Sequence, residues 1–400
     1  MALRVIKINR TVFLALLATA SMLAATARVR ADDTTAQDLP GGFIAQPMIG
    51  QTASWNSNPL LLLSGARQLY GSITTPELII SDRTPDKQLN LDTQINENVF
   101  NQPEFNSTDL HSKGNFNALR QIWGAGVSGQ FDYDTTRTSE PSIYGFRNTQ
   151  IVRHWDISVT PQITYSPLPT DKFGLSGSAL TSQYETSVFT DYEVFSITPI
   201  YTHNFDPLNA GLVKFTAQHY QAIQGPRSTY DTMGPSVGWI ATLTPRLSAN
   251  ASVGVELVQQ DLAGVPTKPW SAQYVFSTDI TFTGEQDKAD LAASRSEYPF
   301  GNGTESLLTN FTVSDSHSLN ENFSLNAQIN YEYADYQSTF TGNLQSLASA
   351  SGGLTYHATD HLDVTGTYQY RYETLTGIDA NIVDHSVNLG LVYHPKAWAL

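Results

Sequence analysis

Nine histidines are scattered through this 400-residue chain, and their spacing assembles no catalytic or metal-binding motif. His357, His361 and His394 lie beside turn-like segments, where solvated polar residues are ordinary, and no metal is expected there. Cysteine is absent, which excludes disulfides and thiolate chemistry. The chain has no His-Glu-x-x-His, no Gly-x-Ser-x-Gly and no phosphate-cradling glycine loop. No catalytic residue and no cofactor is expected. The polar residues that do recur regularly are Asn250, Glu256, Gln273, Asp279, Asn326, Gln328, Asn330, Glu332, Asp363, Gln369 and Arg371. Amides and carboxylates of this kind solvate ions and hydrophilic solutes along a wet wall. They make no bonds.

Each of these residues alternates with apolar neighbours. From Phe323 to Tyr333 the odd positions carry Phe, Leu, Ala, Ile, Tyr and Tyr, with Ser, Asn, Gln, Asn and Glu between. From Leu362 to Tyr372, Leu362, Val364, Tyr368, Tyr370 and Tyr372 share a face opposite Asp363, Thr365, Thr367, Gln369 and Arg371. Alternation over about ten residues predicts an extended strand with one apolar and one polar face. A membrane-spanning barrel needs strands of that length, whereas a soluble β-sandwich usually makes do with about five or six residues.

From about Ala45 the pattern recurs between two kinds of connection. Short ones are built on Pro, Asp or Asn, at 82–87, 166–172, 204–209, 244–247, 284–288, 316–320 and 357–361. Longer ones fall near 57–68, 99–106, 136–149, 185–190, 224–229, 261–269, 299–303, 335–346 and 375–383. This asymmetry matches periplasmic turns and extracellular loops. The expected fold is all-β, a closed antiparallel transmembrane barrel of about 18 strands, with 16 as the other count. Its span is 45–394, after a periplasmic lead at 32–44 and before a tail at 395–400. Aromatics close the strands where interfacial girdles belong, at Tyr133, Tyr333 and Tyr372 on one end and Tyr165, Tyr201, Tyr356 and Tyr393 on the other. Pro76, Pro161, Pro199 and Pro235 fall inside strand-like runs, which predicts a bulge or kink at each.

The amino terminus has the form of an export signal, with Arg4, Lys7 and Arg10 before an apolar run from Val12 to Ala27 and Val29-Arg-Ala31 before Asp32. Removing residues 1–31 takes away five of the 22 basic residues and none of the 37 acidic ones, leaving a formal charge of −20. That balance argues against a nucleic-acid partner.

Four stretches resemble the β-barrel porin 2 type of outer-membrane protein from Gram-negative bacteria. They are Asn96-Glu-Asn-Val-Phe-Asn-Gln-Pro-Glu-Phe-Asn-Ser-Thr-Asp109, Gln130-Phe-Asp-Tyr-Asp-Thr-Thr-Arg-Thr-Ser-Glu140, Phe189-Thr-Asp-Tyr192 and Gly234-Pro-Ser-Val-Gly-Trp239. The resemblance implies an outer-membrane barrel and brings no catalytic residues with it. Barrels usually end on an aromatic residue, whereas this chain ends Ala397-Trp-Ala-Leu400. Export through the Sec pathway and passive passage of small hydrophilic solutes, with a mild cation preference, are the expectations. The alternative is a non-channel barrel that supports exopolysaccharide export or surface anchoring. Lipid and solute or polysaccharide are the expected partners.

Overall fold

In the computed structural model the described residues are 42–136, 151–187, 189–224, 228–262, 266–299, 305–335, 344–375 and 378–399. The expected signal at 1–31 lies outside them, as does nearly all of the lead at 32–44. Eighteen long strands follow in chain order: β1 Ile44–Asn56, β2 Leu69–Thr84, β3 Lys87–Phe100, β4 Ser107–Leu119, β5 Trp123–Thr135, β6 Arg153–Leu168, β7 Asp171–Tyr184, β8 Tyr192–Asp206 and β9 Asn209–Ala222. The second half runs β10 Ser228–Thr244, β11 Leu247–Leu262, β12 Ser271–Thr283, β13 Asp287–Pro299, β14 Glu305–Asn320, β15 Phe323–Asp335, β16 Leu344–Thr359, β17 Leu362–Leu375 and β18 Ile378–Tyr393. Every strand pairs antiparallel with its chain neighbours, and β18 returns to β1, from Ile49↔Tyr393 to Asn56↔Ser386. The sheet is a closed 18-stranded antiparallel barrel. Closure leaves no open edge for another chain to extend.

The short connections gather on one rim and the longer ones on the other. Two differ from expectation. The turn at 120–122 between β4 and β5 carries no Pro, Gly, Asp or Asn to announce it, and is closed by Arg120 N–H to Trp123 O at 2.8 Å and by the Arg120–Asp86 ion pair at 2.9 Å. The long loop expected at 375–383 is mostly strand, because β18 begins at Ile378 and Tyr372 Oη donates to Asn381 Oδ1 across the hairpin. The tail expected at 395–400 contributes one further pairing. Trp398 and Ala399 form a short β19 against Ala45 and Ile44.

The four strand prolines make no bulge. Partner numbers run through each without a shift: Thr74↔Glu97 to Glu77↔Gln94, Val159↔Ala179 to Gln162↔Ser176, Ile197↔Ala217 to Ile200↔Lys214, and Met233↔Leu257 to Ser236↔Gly254. Each proline keeps its pairing with the preceding strand, as in Ile49↔Pro76 and Leu175↔Pro199. The missing N–H opens the ladder on the other side only, which a closed wall of hydrogen bonds tolerates. Register shifts lie instead at strand ends, at Tyr165/Leu168, Asn204/Asp206, Thr242/Thr244, Ser318/Asn320 and His357/Thr359 beside the short turns. The bend is made where the chain turns.

The outward face is apolar. Ile197, Val253, Val255, Ile329, Leu389 and Leu391 are all exposed by about half or more. On β8 Glu193 and His203 are the outward polar residues that flank Phe195, Ile197, Pro199 and Tyr201. Ten residues at ~3.3 Å each, tilted by about 40°, give an uncharged band on the order of 25 Å tall. Aromatics pack together at its short-turn margin: Phe173 with Tyr201 at 5.1 Å, Phe205 with Trp239 at 5.0 Å and Phe323 with Tyr356 at 4.5 Å.

Candidate functional site

In a single-walled barrel the deepest burial falls on the inside of the wall. Tyr220, His154, Glu373, Asp109, Asp134, Ile382 and Asp384 are essentially inaccessible, and the register carries their face around the wall. Glu332, Leu347, Glu373 and Ile382 stand opposite one another on β15 to β18, as do Asn330, Ser349, Arg371 and Asp384. Asn326 and Gln328 share that face of β15, and Asp363 and Gln369 share it on β17. On the other arc Tyr220, Tyr230 and Gln260 fix the face of β11 that holds Asn250 and Glu256, which pair with Asp279 and Gln273. All eleven residues singled out by periodicity therefore lie on the strand face that carries these buried side chains.

They do not form one cluster. Arg371 donates through Nε and Nη2 to Asp384 Oδ2 at 2.9 and 2.7 Å. Thr312 Oγ1 donates to Asn330 Oδ1 at 2.8 Å, and Asn330 Nδ2 to Glu332 Oε1 at 2.6 Å. Gln273 bonds Glu297. The Asn326 side chain lies over Gly353, filling the space a Cβ would need. Near the short-turn rim, Asp363 lies 2.7 Å from His357 Nδ1 and 3.0 Å from His394 Nε2. Two of the three histidines noted in the sequence thus meet one carboxylate, each at its own oxygen, while His361 packs against Tyr393. No group of three or more His, Cys, Asp and Glu among the described residues is arranged to hold a metal ion.

The inner wall is acidic. Inward carboxylates (Glu77, Asp92, Asp109, Asp132, Asp134, Asp156, Glu256, Asp279, Asp290, Glu332, Asp363, Glu373, Asp384) outnumber inward bases (Arg83, Lys113, Lys172, Lys214, Lys288, Arg371). Lys113 and Arg371 are already committed, to Asp92 at 3.1 Å and to Asp384. The densest acidic patch was not found by sequence reasoning. His111 Nδ1 lies 2.8 Å from Asp132 and 3.9 Å from Asp134, and His154 lies 3.5 Å from Asp134 and 3.4 Å from Asp156. Asn98 Nδ2 donates to Asp109 Oδ2 at 2.8 Å beside them. These residues come from β3 to β6, and only strand pairing brings them together.

The long-loop mouth is lined by apolar side chains instead. Tyr184, Tyr192, Val194, Tyr220, Ala222 and Tyr230 on β7 to β10 bury Val152 and Phe189 from two connections. Leu347, Leu375 and Ile382 bury Leu61, with Leu308 alongside. Leu69 and Phe100 bury Phe105 of the short 3-10 turn Pro103–Phe105, with Leu60, Ile73 and Ile151 alongside. Pieces of four connections therefore fold inward, and a cavity of about 480 Å³ opens among Asn58, Leu60, Leu62, Arg67, Glu104, Phe105 and Ile151.

No family model matches the chain, and no curated protein matches it. Among solved structures it is similar to OccK11 (OpdR) of Pseudomonas aeruginosa, at 9% identity and a TM-score of 0.46, covering 90% of this chain and 100% of that one. It is similar to a BenF-like porin from Pseudomonas fluorescens Pf-5 at 8% identity and 0.47, covering 88% and 99%. The outer membrane channel DcaP of Acinetobacter baumannii gives 10% and 0.42, covering 90% and 99%.

Proposed function

We propose that this chain is an outer-membrane channel for the passive diffusion of small hydrophilic solutes, with a mild preference for cations. The observation that carries the reading is the opposition of two faces on one closed wall. The outer face is apolar over a height matched to a bilayer, and the inner face is polar with an excess of carboxylates. Eighteen strands enclose enough width for an aqueous passage. Acid-lined walls raise the local concentration of cations and depress that of anions. In this reading the eleven polar residues, Asn250 through Arg371, line the passage. Residues 1–31 direct export through the Sec pathway, 32–44 form the periplasmic lead, and the short turns face the periplasm. No catalytic residue is assigned.

Purified protein in planar bilayers under a salt gradient tests this. Unitary conductance with a cation-side reversal potential is expected, and the joint change Glu256→Gln and Glu332→Gln should move that potential toward zero. Anion selectivity in the unaltered protein would refute the preference, and a silent bilayer would refute the channel. The inward-folded mouth favours one second reading, a barrel that anchors or helps export polysaccharide without free diffusion. Liposomes containing that barrel would not swell in small sugars.

A further inference from the structure

Residues 57–68, joining β1 to β2, contain Leu60-Leu-Leu-Leu63, a run that a connection projecting into water would leave exposed. Instead its first half, residues 58–62, turns inside the barrel. Leu61 enters the apolar cluster of β16 to β18 and is only 1% exposed, while Leu60 packs against the cluster of Leu69, Phe100 and Phe105 on the other side of β1. Sending consecutive leucines to different clusters demands a sharp reversal. Leu61 accordingly has φ of 49°, in the left-handed region that disfavours a bulky side chain. Such a conformation persists only where the surroundings impose it.

The fastening centres on one carboxylate. Asp384 of β18 accepts from Asn58 N–H at 2.8 Å, Ser57 Oγ at 3.1 Å and Asn56 Nδ2 at 3.1 Å, besides its two bonds from Arg371. Ser57 N–H donates to His385 O at 2.9 Å, and His385 N–H donates back to Ser57 Oγ at 2.7 Å. Asn58 closes the first turn, donating to Leu62 O at 3.0 Å and accepting from Leu62 N–H at 2.8 Å. We infer that segment 57–68 is a strap that sets the bore of the passage at its long-loop mouth, with Asp384 as the residue that positions it. The inference rests on the channel reading and adds which element limits solute size.

The absence of cysteine supplies the test, because Leu61→Cys and Leu63→Cys each place one thiol on the strap. Leu63 is 42% exposed, so its variant should react with a water-soluble maleimide as a free thiol does. The Leu61→Cys variant should react at least about tenfold more slowly, since reaction requires the strap to open. Adding Asp384→Asn should remove that protection. In the cysteine-free chain, Asp384→Asn should also raise unitary conductance and admit larger sugars in liposome swelling. Leu61→Gly, which adopts the same φ without strain, should widen the bore with every charge intact. Heat-modifiable gel mobility verifies that each variant is folded. Equal labelling at positions 61 and 63 in a conducting barrel would overturn the strap. Protection at 61 with no conductance would overturn the channel reading, and an unchanged bore in both Asp384→Asn and Leu61→Gly would overturn the size limit.

Discussion

Two adjacent residues of β8 distinguish the faces of the wall by their response to one substitution. Ile197 points outward and is 51% exposed, four residues from Glu193 and six from His203, so it sits near the middle of the apolar band. Thr198 points inward, with its Oγ1 3.4 Å from Thr216 Oγ1. Arginine at the midplane of a barrel's lipid face costs about 2–4 kcal/mol, equivalent to about 30- to 700-fold in the folding equilibrium at roughly 1.4 kcal/mol per tenfold. In the proposed channel the same side chain on the inner wall reaches water and should cost within about 0.5 kcal/mol. Urea titration of folding into large unilamellar vesicles, followed by tryptophan fluorescence and gel mobility, measures both. Ile197→Arg should lose stability by that range while Thr198→Arg keeps the parent midpoint. Equal losses, or a larger loss for Thr198→Arg, would refute the assignment of faces.

Gly234 should be intolerant of any side chain, because a Cβ there would collide with the Val255 carbonyl oxygen across β10 and β11. Gly234→Ala is expected to cost about 1–3 kcal/mol, read as a lower urea midpoint. Gly366→Ala, whose nearest contact would be Leu389 Cδ2 at 3.5 Å, should leave that midpoint in place. Pro199→Ala should be nearly neutral. A restored ladder hydrogen bond contributes about 0.5–1.5 kcal/mol, and the greater freedom of the unfolded chain offsets about 0.4–1 kcal/mol of it. Unchanged conductance in that variant fits a proline carried in an unbroken register, and altered conductance would show that it shapes the wall.

The barrel is legible in the sequence because its rule is local. Alternation in Phe323–Tyr333 or Leu362–Tyr372 assigns every side chain to a face once one is known, and turn residues such as Pro85-Asp86 and Asp360 mark where the chain reverses. The strand prolines misled because edge-strand reasoning treats each missing donor as a defect in the register. A wall paired on both sides loses the bond and keeps the register. The turn at 120–122 was invisible because Arg120, Gln121 and Ile122 are not turn formers, and pairing of the flanking strands imposes the reversal.

The mouth obeys a different rule, and that is why it was missed. Leu61 meets Leu347, Leu375 and Ile382 from nearly three hundred residues away or more, and Asp384 reaches Asn58 across the seam where the barrel closes. Nothing periodic encodes such contacts. Composition does: four successive leucines in a connection have no stable place in water, and Asn58-Pro59 before them supplies a turn that can aim them inward. The acidic patch follows the same logic, since Asp109, Asp132, Asp134 and Asp156 become neighbours only when β4, β5 and β6 align. Strand pairing sets the wall first. What the wall then gathers inside it, acids along its inner face and leucines at the long-loop end, is a consequence of closure that no single strand contains.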